Sequence, residues 1–138
     1  DAMAREIRRR YGNNKIFVYP DASGAARSTI NASKTDIAIL ESYGFTSMAL
    51  RSNPPIKDRV QTLQAVLENS KGQIRMAIYA KATRLIECLE LQSYDEKTGD
   101  PDKQNGYDHL NDALGYLCYR EFNMIYSKAG QKTGIRIY

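Results

Sequence analysis

Apolar positions recur along this chain in two rhythms. Residues 15–19 (Lys-Ile-Phe-Val-Tyr) form a short, nearly continuous apolar run, which predicts a strand buried on both faces. Pro20 ends its ladder pairing. Residues 45–50 predict a second strand, and 74–79, which alternate weakly, a third short one. The helical rhythm appears first at 2–11, a basic amphipathic stretch stopped by Gly12-Asn13. It returns at 36–43, with Ile37, Leu40 and Tyr43 facing inward, Gly44 as the C-cap and Ser33-Lys-Thr-Asp36 as a capping box. Asn53-Pro-Pro55 reads as a rigid turn before a helix over 57–69 that carries Val60, Leu63 and Leu67 on one face. Another helix covers 83–92, with Leu85, Cys88 and Leu89 together, and the last clear one covers about 108–122. Residues 21–35 and 93–107 are polar loops, and 134–138 a strand or a frayed end. Strands alternating with helices predict one α/β domain with a mostly parallel sheet.

The parallel sheet changes the weight of one residue. Ligand sites in such sheets lie beyond the carboxyl ends of the strands, and Asp21 in Tyr19-Pro-Asp-Ala-Ser-Gly24 follows the best strand by two residues. A second acidic group opens the last helix, at Asp108-His-Leu-Asn-Asp112. At about 100° per residue, Asp108, His109 and Asp112 share one arc. Leu110, Ala113, Leu114, Leu117 and Cys118 fall opposite and are expected to enter the core. Two carboxylates and an imidazole, joined by Asp21, make a credible oxygen and nitrogen ligand set for a hard divalent cation.

Composition narrows the alternatives. The 138 residues carry a net charge of +4, enough to permit a polyanionic partner without demanding one. No apolar run is long enough to span a bilayer, and the N-terminal stretch lacks the apolar core of a signal peptide. Cys88 and Cys118 have no Cys-x-x-Cys or zinc spacing and read as buried free thiols of a reducing cytoplasm. His109 is the sole histidine, which excludes a His-rich metal site, and the sequence contains no P-loop.

Taken in order, Ile16-Phe-Val-Tyr-Pro-Asp-Ala-Ser-Gly24, Thr35-Asp-Ile-Ala-Ile-Leu40, Gly44-Phe45, Asn53-Pro-Pro-Ile-Lys-Asp-Arg-Val60 and Tyr107-Asp-His-Leu-Asn-Asp-Ala-Leu-Gly-Tyr116 resemble the C-terminal nuclease domain of the large terminase subunit of tailed bacteriophages. The resemblance covers about 1–122 and leaves 123–138 as a tail. It implies a ribonuclease-H-like fold whose first strands, with their own acid, would precede residue 1. It also implies an endonuclease that cuts concatemeric double-stranded DNA with two Mg²⁺ or Mn²⁺ ions held by carboxylates. Asp21 matches the acid of the fourth strand, and Asp108 and Asp112 match the late-helix acids, with His109 where an aspartate is common. Implied partners of the full protein are DNA, the phage portal and the small terminase subunit, in the cytoplasm of a bacterial host. An unpaired sheet edge would further invite self-association.

Each residue also has a plainer reading. Asp21 can form a turn after Pro20, Asp108 can cap its helix, and His109 can pair with Asp112 on the surface. Asp112 has no strongly basic neighbour one turn away. Lys57 and Arg59, with Arg27 and Lys34, are candidates for a DNA phosphate track around the strand ends, though lone basic residues are usually only solvated. Tyr11, Tyr43, Tyr79, Tyr94, Tyr116 and Tyr119 read as edges of the core, and Arg8-Arg-Arg10 as a wet helix face. The alternatives to a nuclease are a DNA- or partner-binding domain that does not cut, and another ribonuclease-H-like enzyme of the resolvase or integrase type.

Overall fold

The computed structural model describes residues 2–25 and 36–122. Its elements are α1 (Ala2–Tyr11), β1 (Phe17–Val18), a 3-10 turn (Ala22–Ala25), α2 (Asp36–Ser42), β2 (Thr46–Ser47), α3 (Ile56–Leu67), α4 (Thr83–Leu91) and α5 (Asp108–Phe122). β1 and β2 pair in parallel, Phe17 opposite Thr46 and Val18 opposite Ser47, so the carboxyl ends of both strands point the same way. This is an α/β arrangement with helices around a small parallel sheet. The first half of the capping box, Arg27, Lys34 and the 134–138 segment lie outside the described residues.

The core sits between helices. α3 packs along α5, and α4 also lies against α5. Leu63, Val66 and Cys118 are buried at its centre, with Leu67, Met76, Leu89, Leu114, Leu117 and Phe122 packed around them. The expected faces of α3 and α4 hold: Leu63 and Leu67 reach this core, and Cys88 is buried. Both cysteines are free and buried, and burial pushes the Cys118 thiol up to about 11.

Arg8 is not a wet residue. Its Nε and Nη2 donate to the Tyr43 carbonyl at 3.2 and 2.8 Å, and Nη1 donates to the carbonyls of Gly12 and Asn14. Its guanidinium also stacks 4.9 Å from the centre of the buried Phe45 ring. The arginine therefore fastens α1 to the turn where α2 ends. Arg9 and Arg10, which pair with Glu6, do lie in water. Gly44 makes that turn possible: with φ +77 it closes α2 by donating to the Glu41 carbonyl at 2.9 Å.

Two expectations fail for one reason, the number of neighbours each segment finds. Phe17 is 45% exposed rather than buried on both faces, because among the described residues β1 has β2 alone beside it. No strand forms at 74–79. Ile74 and Tyr79 are exposed, and the Arg75 N–H turns back to the Val66 carbonyl near the end of α3 instead of to a neighbouring strand. On α5 the expected face is buried in part, with Leu114, Leu117 and Cys118 entering the core. Leu110 is exposed, while Asp108, Gly115 and Cys118 are buried. The helix has turned its Asp108–Gly115–Cys118 stripe inward because α3 and α4 both pack against that side. Tyr11, Tyr79 and Tyr94 are exposed rather than core edges.

Candidate functional site

The site grows from the end of β1. After Pro20 the chain turns into the 3-10 segment, and Asp21 caps that turn by accepting the Ser23 N–H at 2.6 Å on Oδ1. The plain turn-forming role of Asp21 is thus present. It does not exhaust the carboxylate. Asn53, from the turn that follows β2, donates to the same oxygen at 2.8 Å, while its own Oδ1 accepts the Ala22 N–H at 2.9 Å. One asparagine side chain therefore ties together the two loops at the carboxyl ends of the parallel strands.

Helix α5 closes the site from the other side. The Tyr116 hydroxyl donates to Oδ2 of Asp21 at 3.1 Å, across 95 positions of sequence. A second strut runs beside it, from the Tyr19 hydroxyl to Glu121 at 2.9 Å. Burial, then the Glu121 carboxylate, pushes Tyr19 up to about 12, so this strut keeps its proton through the neutral range. Burial raises Asp21 as well, but the Ser23, Asn53 and Tyr116 donors outweigh it and hold the carboxyl at about 2. Asp21 is an anion fixed in place by donors on three segments. Tyr116 is raised, first by burial, against the lowering effect of Arg59.

Asp112 lies one helical turn before Tyr116, on the same side of α5. The sequence offers it no strongly basic partner within its helix, but the fold supplies one from α3. Arg59 Nη2 sits 2.7 Å from Asp112 Oδ1, and the guanidinium stacks 4.5 Å from the centre of the Tyr116 ring. Arg59, expected at a DNA surface, is 5% exposed and points into the protein. Lys57, two residues away and so about 200° around α3, is exposed. The two do not form one track.

Asp21 and Asp112 thus share one edge of the molecule, linked through Tyr116 and Arg59. Asp108 and His109 do not join them in a ligand cluster. Asp108 is buried at the start of α5 with Oδ1 lacking a hydrogen-bond partner, and its Oδ2 is 3.8 Å from Nδ1 of His109, whose side chain is 82% exposed. Among the described residues, no three acids, histidines or cysteines are grouped as a metal site would need. Asp21 suits a cation, because it is held ionised and its Oδ2, which accepts the Tyr116 hydroxyl, carries a second lone pair. The full set of four does not fit a two-metal centre as arranged here, since Arg59 already engages Asp112.

Sequence reasoning missed Asn53, and took Tyr116 for a core edge. The tyrosine was within reach, four residues after Asp112 on one helical face. The asparagine gave no signal beyond preceding two prolines.

No helix among the described residues is long and apolar enough to cross a membrane. Comparison with curated proteins and with solved structures returned no match. The family model described as the terminase RNaseH-like domain matches residues 1–121, a span that includes β1 with Asp21, the Asn53 turn, Arg59 and nearly all of α5. That span of this chain holds a parallel strand pair with an ionised aspartate at its carboxyl end and a late helix braced across it, and the chain belongs to the terminase RNaseH-like domain family.

Proposed function

We propose that this domain is the DNA-cutting part of a phage packaging terminase, hydrolysing phosphodiester bonds of concatemeric double-stranded DNA with Mg²⁺ or Mn²⁺. The observation that carries this reading is Asp21. It is a carboxylate held ionised at a strand carboxyl end, with an oxygen left able to take a cation. The bound cation would supply charge for the developing phosphate anion. Asp21 would hold it, Asn53 and Ser23 would fix the orientation of that carboxylate, and Tyr116 would set the distance of α5 from it. Asp108, buried with an unpartnered oxygen, is the further acid proposed for cation binding, Asp112 is engaged by Arg59 instead, and His109 stands exposed. Lys57 is the proposed phosphate contact among the described basic residues, with Arg27 and Lys34 beyond them. Nothing in the described helices suggests base reading, so cutting would be largely independent of sequence.

The test is conversion of supercoiled plasmid to nicked and linear forms by the complete nuclease domain in Mn²⁺ or Mg²⁺. Activity is expected with either ion and lost on chelation. Cutting that persists in chelator overturns the metal reading. Preference for branched DNA over plain duplex would favour a resolvase-like enzyme instead. Retention of duplex without any cutting would favour a binding role.

In the assembled machine the proposed partners are DNA, the portal and the small terminase subunit, in the cytoplasm of the bacterial host. Alone, the chain would pair with a second copy through the edge of β1, where Phe17 is 45% exposed. Light scattering is expected to give about twice the mass of one chain, and a monomer at all concentrations would refute the pairing.

A further inference from the structure

The buried arginine of the site carries an assignment of its own. Arg59 is a permanent cation, 5% exposed, and its charge goes to Asp112 at 2.7 Å. Its position is set by its whole length. The guanidinium lies 4.5 Å over the Tyr116 ring, and the stem crosses α5 at Gly115. A Cβ on that residue would come 2.8 Å from Cγ and 3.0 Å from Cδ. Gly115 is therefore the gap through which an arginine from α3 reaches the acidic face of α5. A cavity of about 160 Å³ opens beside the pair, lined in part by Arg59, Asp112, Asn111 and Gly115.

We propose that Arg59 is the built-in cation of this site: it occupies Asp112 and so keeps that carboxylate out of metal coordination, and it holds Tyr116 in place to donate to Asp21. Arg59 is thus a positioning residue, acting through Asp112 and Tyr116. The proposal rests on the nuclease reading only for the identity of the entering ion.

The experiment is Mn²⁺ titration by calorimetry, without DNA, on the unaltered chain and on Asp112→Asn, Arg59→Met and the double variant, each first checked for a cooperative melt. Asp112→Asn is expected to change Mn²⁺ affinity by less than about twofold, because that carboxylate is already taken. Arg59→Met frees it, and the added ligand charge is expected to tighten Mn²⁺ binding by about tenfold. Adding Asp112→Asn to Arg59→Met should return affinity to the starting level. A merely structural arginine would give no such gain. If Arg59→Met fails to fold, Asp112→Asn decides by itself, since the amide oxygen can still accept from the arginine. A tenfold loss of affinity in Asp112→Asn, an unchanged affinity in folded Arg59→Met, or no Mn²⁺ binding by any of the four proteins overturns the proposal. Plasmid cutting is read separately. Its absence alongside the expected Mn²⁺ pattern would remove the nuclease reading and leave this inference standing, and cutting alongside a tenfold loss in Asp112→Asn would do the reverse.

Discussion

Asp21→Ala lowers plasmid cutting by at least about a hundredfold, the scale expected when a carboxylate that would hold the cation is removed. The expectation follows from how much converges on this side chain. It accepts a backbone N–H from its own turn, the Asn53 amide from the neighbouring strand end and the Tyr116 hydroxyl from α5. Alanine removes the cation ligand and the point where the three segments meet. Asp21→Asn separates those effects, because its amide oxygen can still accept while its charge is gone. The asparagine variant should melt as a folded protein yet cut nearly as poorly as the alanine variant. Cutting within threefold of the unaltered chain in a folded Asp21→Asn protein would exclude Asp21 from the chemistry.

The same carboxylate predicts a pH signature. Its folded value of about 2 lies below the ordinary 3.8, so the folded state favours its ionised form. The stability it contributes is complete above about pH 4 and is lost as pH falls through 2. The difference in melting temperature between the unaltered chain and Asp21→Asn should therefore shrink on acidification across that window. A difference that stays constant from pH 6 to pH 2 would contradict the assignment.

Gly115→Ala is expected to destabilise the protein by about 2 kcal/mol, against the usual direction of this substitution. Replacing a mid-helix glycine by alanine ordinarily stabilises by about 1 kcal/mol. Here the added methyl would lie 2.8 and 3.0 Å from Cγ and Cδ of Arg59. These are atoms of a buried stem rather than a free tip, so the arginine must shift as a unit. Overpacking of this kind costs about 1–3 kcal/mol. Drawing the guanidinium away from Asp112 leaves a buried charge without its partner, which adds to the loss. Urea unfolding measures the result directly. A midpoint equal to or above that of the unaltered chain would mean that the arginine can relax at no cost, and that Gly115 is not needed for its passage.

The residues that carry these two predictions were legible to different degrees. Asp21 could be found from sequence because its signal is local: an apolar run, a proline, then an acid at a strand end. The bounds of α5, Asp108–Phe122, were legible for the same reason, since helical periodicity and an acidic first turn lie within one short window. Arg59 was visible as a basic residue but assigned to the wrong environment. Its partner lies 53 positions away, and nothing in the spacing of α3 says that a neighbouring helix has a glycine gap at the crossing. Arg8 misled in the same manner, reading as one of three wet arginines until the Tyr43 carbonyl and the Phe45 ring were found beside it. The face that α5 buries was legible in part. Leu114, Leu117 and Cys118 enter the core as their spacing says, while contact with α3 and α4 adds Asp108 and Gly115 and Leu110 is left exposed.

The sequence by itself determined where helices begin and end, that the strands run parallel, and that an aspartate stands at the end of the first of them. Those properties depend on hydrophobic period, turn chemistry and capping, which act over a few neighbouring residues. Only the tertiary structure decided which charges meet. Pairing of Arg59 with Asp112, of Tyr116 with Asp21 and of Asn53 with both strand ends depends on how helices and loops distant in the chain pack together. Electrostatics and hydrogen bonding act over a few ångströms in space, whatever the separation along the chain.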